Sequence, residues 1–208
     1  MSHDPHRRTL LAAGLSLVAL PAFAQTDSGL VRVALKTSKG VITADINIGK
    51  APITAKNFLR YVDARRYDGA KFYRASQVPT QPERGLIEGG LRGDPAKVFR
   101  PIPHESTLKT GLTHKDGILS MARLKPGTAA AEFFICIGDQ PGYDADPNAA
   151  DTGSGDNLGF AAFGQVVDGM DVVQTIFTSP TSRTAGSGVM HGEILSPPIP
   201  ILSARRVA

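Results

Sequence analysis

The chain has 208 residues, of which 41% are apolar and 20% are charged, and a chain of this size can bury one sizeable hydrophobic core. Its formal charge of +4 at pH 7 is spread along the sequence without a block of like charges. This argues against a basic nucleic-acid-binding tail and against an acidic solvating tail. We therefore expect one globular domain that does not bind nucleic acid.

The first 24 residues differ in character from the rest of the chain. Two arginines at 7–8 precede the apolar run LLAAGLSLVAL at 10–20, and a small-residue Ala-x-Ala site at 22–24 follows that run. This order is typical of a secretory signal peptide that is cleaved before Gln25. A membrane anchor is the alternative, but the run is shorter than the roughly 20 residues that cross a bilayer.

We therefore predict a signal peptide over 1–24 and one domain over 25–208, in a periplasmic or secreted protein that is not stably inserted in a membrane. The paired arginines leave both the twin-arginine route and the general export route open. The single cysteine, Cys136, lies in the apolar run EFFICIG and is expected to be buried and unreactive. One cysteine also excludes an intrachain disulfide.

Periodicity along 25–208 predicts mostly β-strands. Residues 30–36 and 41–48 alternate apolar and polar side chains around a Ser-Lys-Gly turn, and we expect them to form a β-hairpin. Later short runs, bounded by Gly, Pro, Asp or Asn, predict six further strands. They lie at 71–76, 86–89, 117–122, 132–138, 161–167 and 198–206.

Two helices are predicted among these strands. Pro52 suits the first turn of a helix, and an apolar stripe at helical spacing follows it. The stripe consists of Ala55, Phe58, Leu59 and Val62. A second helix is predicted over 169–178, where an apolar face recurs at the same spacing. Eight strands and two helices predict a mainly β fold, a closed antiparallel barrel capped by the helices, because an open sheet of this size would expose its edges.

Two long segments, 92–116 and 139–158, are expected to be loops, and loops of this length are often functional. The second contains a partial calcium-loop pattern, formed by Asp144, Asp146, Asn148 and Asp151. Ala149 and Gly155 stand where that loop requires glycine and glutamate. We therefore favour a solvated turn over a calcium site.

Other sequence features give no support for a metal or cofactor site. Three histidines follow the predicted signal peptide, His104, His114 and His191. They are too far apart for a helical metal site, and we expect each to be a solvated or hydrogen-bonded loop residue. The run TGSGDN at 152–157 is interpreted as a flexible turn, and no G-x-S-x-G elbow, P-loop or dinucleotide fingerprint occurs. We predict a protein without a bound metal or cofactor.

A set of motifs occurs in a fixed order along the chain. They are APITAKNFL at 51–59, KFYR at 71–74, IEGG at 87–90, GILSMA at 117–122, EFFICIG at 132–138 and FAAFGQVVDGMDVV at 160–173. With this set the chain resembles the cyclophilin family of peptidyl-prolyl cis-trans isomerases over most of its length. The resemblance implies an eight-stranded antiparallel barrel with two capping helices, in agreement with the predicted elements.

The resemblance gives a role to Arg74, an isolated charge in the strand predicted at 71–76. Rotation about an X-Pro bond breaks amide resonance, which returns a lone pair to the proline nitrogen. A guanidinium beside that nitrogen can donate a hydrogen bond that is strongest in the twisted state, and this lowers the barrier. By resemblance, Arg74 is the catalytic donor and Phe134 belongs to the floor of the pocket that grips the proline ring.

The resemblance implies six further substrate-binding residues. They are Leu86, Glu88, Ala122, Arg123, Glu132 and Phe160. Several depart from the family pattern, since Glu88 and Glu132 replace common glutamines, Arg123 an asparagine and Phe160 a histidine. Gly85 stands where a pocket aromatic is common, and the chain has no tryptophan. Because a glutamine amide can donate whereas a carboxylate only accepts, we expect Glu88 to pair with Arg74 and to weaken turnover.

The leading interpretation is a monomeric, exported prolyl isomerase that acts on X-Pro bonds of proline-containing polypeptides while exported proteins fold. The alternative is a proline-peptide-binding module or chaperone on the same fold with weak or no turnover, which Gly85, Glu88, Glu132 and Arg123 together favour. A third possibility, an unrelated β-barrel carrier of small hydrophobic ligands, depends on architecture alone, and fold does not dictate function.

Overall fold

The computed structural model describes residues 29–92, 94–149 and 154–208, together with Met1. The predicted signal segment lies outside the described residues apart from Met1, and so does Asp151 of the partial calcium-loop pattern. Within the described ranges, no helix is both long enough and apolar enough to cross a membrane.

Nine strands and three α-helices follow one another in the described part of the chain. The strands are β1 Leu30–Thr37, β2 Gly40–Asn47, β3 Lys71–Val78, β4 Gln81–Gly90, β5 Ile118–Met121, β6 Phe133–Ile137, β7 Ala161–Asp168, β8 Thr181–Ser182 and β9 Ile194–Arg206. The helices are α1 Pro52–Asp63, α2 Thr107–Thr110 and α3 Met170–Phe177. Single 3-10 turns lie at Pro95–Lys97, Pro141–Tyr143 and Gly188–Met190.

Eight of the strands close into an antiparallel barrel, which confirms the predicted fold class. Their order around the barrel is β1-β2-β7-β5-β6-β4-β3-β9, and β9 pairs with β1 to complete the ring. The remaining strand, β8, has two residues and extends the sheet beside the start of β9. Closure pairs the edges that an open sheet of this size would expose.

Aromatic side chains fill the interior of the barrel. The ring of Phe58, on the predicted apolar face of α1, lies 5.3 Å from that of Phe133 on β6 and 5.1 Å from that of Phe163 on β7. Phe72 on β3 contacts Phe133 edge to face at 5.7 Å. All four rings are fully buried, so α1 is held to the barrel by the stripe that its sequence predicts.

The elements differ from the prediction in four places, one of which is the two-residue strand β8, which the sequence does not predict. Strand β4 begins at Gln81 rather than 86, because its first residues are polar and exposed and show no apolar alternation. Strand β9 begins at Ile194 rather than 198. The third helix, α2, is a single turn inside the segment predicted as a loop, and four residues are too few to display a helical apolar stripe.

A buried carboxylate from a distant part of the chain caps α1. The residue before the helix, Ala51, has no side-chain acceptor for the first backbone N–H groups. Glu105 supplies one, since its Oε1 accepts from the backbone nitrogen of Ile53 at 3.1 Å and its Oε2 from that of Thr54 at 2.7 Å. The Thr54 hydroxyl donates to the same Oε2 at 2.7 Å. Glu105 is 2% exposed, and its charge lies at the positive end of the helix dipole.

We predict that Glu105→Ala lowers the free energy of unfolding by about 2–4 kcal/mol, because buried donors lose their acceptor. Urea denaturation at pH 7 measures the change. The matched control is Glu83→Ala, at an exposed glutamate of β4, which should stay within about 0.5 kcal/mol of the parent. Equal denaturation midpoints for the two variants would contradict the capping role.

Candidate active site

Strand register brings residues from four sequence motifs into one row on the outside of the barrel. Arg74 on β3 pairs with Glu88 on β4, Glu88 pairs with Phe134 on β6, and Phe134 pairs with Ser120 on β5. Because successive side chains of a strand point to opposite faces, Ile87 on β4 enters the core while its neighbour Glu88 points away from it. The row therefore crosses four adjacent strands on the outer face.

A groove of about 620 Å³ lies over this row. Seven of the eight predicted site residues line it: Arg74, Leu86, Glu88, Ala122, Arg123, Phe134 and Phe160. The eighth, Glu132, lines an adjoining pocket of about 350 Å³, which shares Glu88, Ala122 and Arg123 with the groove. The groove is also lined by residues that the sequence does not indicate, including Tyr143, Val189, Met190 and Glu193.

The apolar part of the groove is built from three aromatic rings that pack edge to face. Phe134, which is 3% exposed, lies 5.3 Å from Phe160 and 5.6 Å from Tyr143, and the latter two are 5.4 Å apart. Leu86 and Cys136 pack with Phe134 in one buried cluster, so the predicted burial of Cys136 is confirmed. Edge-to-face packing fixes the rings and leaves an apolar surface for a small ring to contact.

Backbone crowding explains the missing pocket aromatic at Gly85. A Cβ atom added to Gly85 would collide with the backbone carbonyl oxygen of Ser76 on the neighbouring strand, and it would lie 2.9 Å from the ring of Phe177. No larger side chain fits there without a shift of β3 or β4. The rings of Tyr143 and Phe160 supply the aromatic surface of the groove instead.

Two carboxylates hold the guanidinium of Arg74. Nη1 donates to Oε2 of Glu88 at 2.9 Å, and Nε donates to Oε2 of Glu193 at 2.7 Å. The structure thus contains the Arg74–Glu88 pair expected from the sequence. Burial opposes the charge of Arg74, but hydrogen bonds and charges from Glu88 and Glu193 outweigh it and raise the pKa of the guanidinium. Arg74 therefore remains a cation and a hydrogen-bond donor.

Arg123 has its charge satisfied within the protein. Its side chain is 1% exposed and forms a two-pronged ion pair with Asp156, at 3.0 Å from Nη1 and 2.8 Å from Nη2. Nη2 also donates to the backbone oxygen of Gly159 at 2.6 Å. Hydrogen bonding from Arg123 lowers the pKa of Asp156 to about 2. Arg123 thus lines the groove, and its hydrogen bonds connect the end of β5 to the segment before β7.

Glu132 belongs to a polar cluster at the edge of the adjoining pocket. Its Oε1 accepts from the backbone nitrogen of Leu91 at 3.0 Å. Nearby, the Tyr73 hydroxyl donates to Oε1 of Glu88 at 2.7 Å. Burial, and then the charge of Glu88, raise the pKa of Glu132 to about 7 despite hydrogen bonds that act in the opposite direction.

His114 is the histidine that supports the groove. It is buried, its Nδ1 lies 2.7 Å from Oδ1 of Asp144, and its Nε2 lies 2.9 Å from Oγ of Ser120. Asp144, His114 and Ser120 are connected by hydrogen bonds in the same way as the Asp, His and Ser of a catalytic triad. Ser120, however, is fully buried and does not line the groove, so no substrate reaches its hydroxyl. The His114 ring instead stacks on Phe134 at 6.0 Å. Asp144, which belongs to the partial calcium-loop pattern, is therefore hydrogen-bonded to His114.

The comparisons with known proteins agree on one family. The profile of the family "Cyclophilin type peptidyl-prolyl cis-trans isomerase/CLD" matches residues 32–205. A peptidyl-prolyl cis-trans isomerase of Acinetobacter baylyi is 33% identical over 200 residues, which cover 96% of this chain and 95% of the relative. Peptidyl-prolyl cis-trans isomerase A of Dickeya dadantii is 33% identical over 203 residues, which cover 95% of this chain and 97% of the relative.

Solved structures show the same fold. A cyclophilin-type isomerase of Cryptosporidium parvum superposes with a TM-score of 0.65 at 21% identity, over 86% of this chain and 98% of its own. A second crystal structure of that protein, in the presence of the dipeptide Ala-Pro, has a TM-score of 0.64 at 21% identity and covers 85% of this chain and 99% of its own.

We predict that Glu132→Gln changes how stability depends on pH. Because the folded-state pKa of Glu132, about 7, exceeds its ordinary value of 4.5, its ionisation destabilises the fold. The contribution of neutral Glu132 to the free energy of unfolding is fully present below pH 4.5 and is lost as pH rises through 7. Glutamine does not ionise, so the variant should gain on the order of 2 kcal/mol relative to the parent between pH 4.5 and pH 8. Urea denaturation of both proteins and a Glu83→Gln control measures this, and a pH-independent difference would refute it.

Proposed function

Because the chain belongs to the family of cyclophilin-type peptidyl-prolyl cis-trans isomerases, we propose that its groove binds X-Pro segments and that Arg74 catalyses their isomerisation. The observation that carries this proposal is that Arg74 and Phe134 line one groove. A cationic donor and an aromatic wall are thus available to the same bound proline.

The proposed role of Arg74 follows from the electronic structure of the amide. The planar bond resists rotation with a barrier of about 18–20 kcal/mol, because its nitrogen lone pair is delocalised. In the twisted state that lone pair returns to the nitrogen, and a guanidinium N–H can donate to it. A charged hydrogen bond that forms only in this state contributes roughly 2–4 kcal/mol, which corresponds to about 30- to 1000-fold in rate. No covalent step is required.

The aromatic cluster has a separate proposed role. For the rotation to occur within the bound peptide, the proline ring must stay fixed while the residue before it turns. Phe134, Phe160 and Tyr143 present an apolar surface suited to such a ring. The Cryptosporidium parvum relative was crystallised in the presence of Ala-Pro, and this supports proline-containing peptides as ligands of the present groove.

We further propose that the protein acts as a monomer outside the cytoplasm, where it assists the folding of exported proteins. The signal-peptide pattern over 1–24 is the support for export. N-terminal sequencing of the exported protein tests this, with Gln25 expected as the first residue.

We predict that Arg74→Ala lowers kcat/KM on an Ala-Pro peptide tenfold or more, equivalent to about 1.4 kcal/mol or more of transition-state stabilisation. The control is Arg32→Ala, which breaks an exposed arginine–aspartate pair on β1 and β2, strands that lie across the barrel from the groove. It should retain the parental value. Equal activity of parent and Arg74→Ala would exclude the arginine mechanism. A parent that leaves the spontaneous exchange rate unchanged at saturation would identify a binding module instead.

We predict that Glu88→Gln raises kcat/KM by at least about threefold. The carboxylate of Glu88 accepts from Nη1 of Arg74 and reduces the positive potential available to the substrate, whereas a neutral amide does not. Steady-state assays of the two proteins on the same Ala-Pro peptide measure the effect. An unchanged or lower kcat/KM would contradict this electrostatic role.

A further inference from the structure

Glu193, immediately before β9, is bound to β3 through both its backbone and its side chain. Its backbone oxygen accepts from the nitrogen of Ala75 at 3.0 Å. Its Oε1 accepts from the hydroxyl of Ser76 at 2.8 Å, and its Oε2 accepts from Nε of Arg74 at 2.7 Å. Glu193 is therefore hydrogen-bonded to three consecutive residues of β3, and Arg74 is the first of them.

The two carboxylates on Arg74 hold it in different ways. Glu88 contacts one terminal nitrogen, Nη1, and directs its other oxygen to Tyr73. Glu193 contacts a whole edge of the guanidinium, because the Oε2 atom that accepts from Nε also lies 2.7 Å from Nη2. A single contact allows the planar group to turn about it, whereas a contact along one edge fixes the orientation of the plane.

This arrangement leaves donors for a substrate. A guanidinium has five N–H groups. Nε–H is hydrogen-bonded to Glu193 and one N–H of Nη1 to Glu88, while Nη2 lies within ion-pair distance of the same Glu193 oxygen. The second N–H on each terminal nitrogen has no acceptor among the residues that the structure describes. Arg74 lines the groove, so these are the N–H groups that a bound peptide can use.

We propose that Glu193 is a positioning residue, which fixes the guanidinium plane of Arg74 so that its remaining N–H groups serve the prolyl nitrogen. This inference rests on the proposed function of Arg74. Without Glu193, Arg74 keeps only the single contact with Glu88, and ordering a long side chain in the transition state opposes the reaction. The effect should appear in kcat more than in KM, because the orientation matters most for the twisted state.

Three substitutions separate orientation from charge. Glu193→Gln keeps the length of the side chain and an oxygen that can accept from Nε, but it removes the charge. Glu193→Asp keeps the charge and withdraws the carboxylate by one methylene. Glu193→Ala removes both. The control is Asp45→Ala, which breaks an arginine–carboxylate pair on the opposite wall of the barrel.

The experiment measures kcat and KM on an Ala-Pro peptide by NMR exchange. We expect Glu193→Ala and Glu193→Asp to lose at least fivefold in kcat with KM changed less than twofold. Glu193→Gln should keep at least half of the parental kcat, and Asp45→Ala should match the parent. Parental kcat in both Glu193→Ala and Glu193→Asp, or equal losses in Glu193→Gln and Glu193→Ala, would overturn the assignment. Glu193→Asp and Glu193→Gln alone decide the matter if the alanine variant does not fold.

A double-mutant cycle with Arg74→Ala shows whether Glu193 acts through Arg74. In the Arg74→Ala background, Glu193→Asp should change kcat less than twofold. An equal fivefold loss in both backgrounds would overturn the positioning role and leave the arginine mechanism intact. Parental activity of Arg74→Ala by itself would overturn the arginine mechanism, and the positioning role would fall with it.

Discussion

The proposed catalysis depends on the hydrogen bonds between the guanidinium of Arg74 and the carboxylates of Glu88 and Glu193. They keep a partly buried cation charged, and on the proposal made above they also fix its orientation. The same carboxylates also reduce the positive potential of the guanidinium. The contacts that orient Arg74 therefore also weaken it as a hydrogen-bond donor to a substrate. A catalyst that works by one directed hydrogen bond depends on both properties, and the balance between them sets its rate.

The barrel supplies the frame on which this interaction is built. Antiparallel register places Arg74, Glu88 and Phe134 side by side on neighbouring strands, which puts the cation next to the aromatic cluster. Behind Phe134, the buried His114 connects β5 to the loop that carries Tyr143. The groove is therefore supported by the closed sheet on one side and by hydrogen-bonded loops on the other.

Sequence reasoning succeeded where the information is local and periodic. Alternating strands and the apolar stripe of α1 predicted the barrel, and motif resemblance indicated seven residues that line the groove. It missed Glu193, which is 119 positions from Arg74 and belongs to no pattern that links the two. It also missed the cap that Glu105 forms 51 positions from Thr54. Such contacts arise only when the closed fold brings distant segments together, and a short segment such as α2 leaves no periodic signal.

The most direct test of this account is a crystal structure of the protein with an Ala-Pro peptide bound. The account predicts the proline ring against Phe134 and Phe160, with a terminal nitrogen of Arg74 within about 3.2 Å of the prolyl nitrogen and Glu193 still on the opposite edge of the guanidinium. A proline bound away from Phe134, or an Arg74 whose terminal nitrogens face only carboxylates and solvent in the complex, would contradict it.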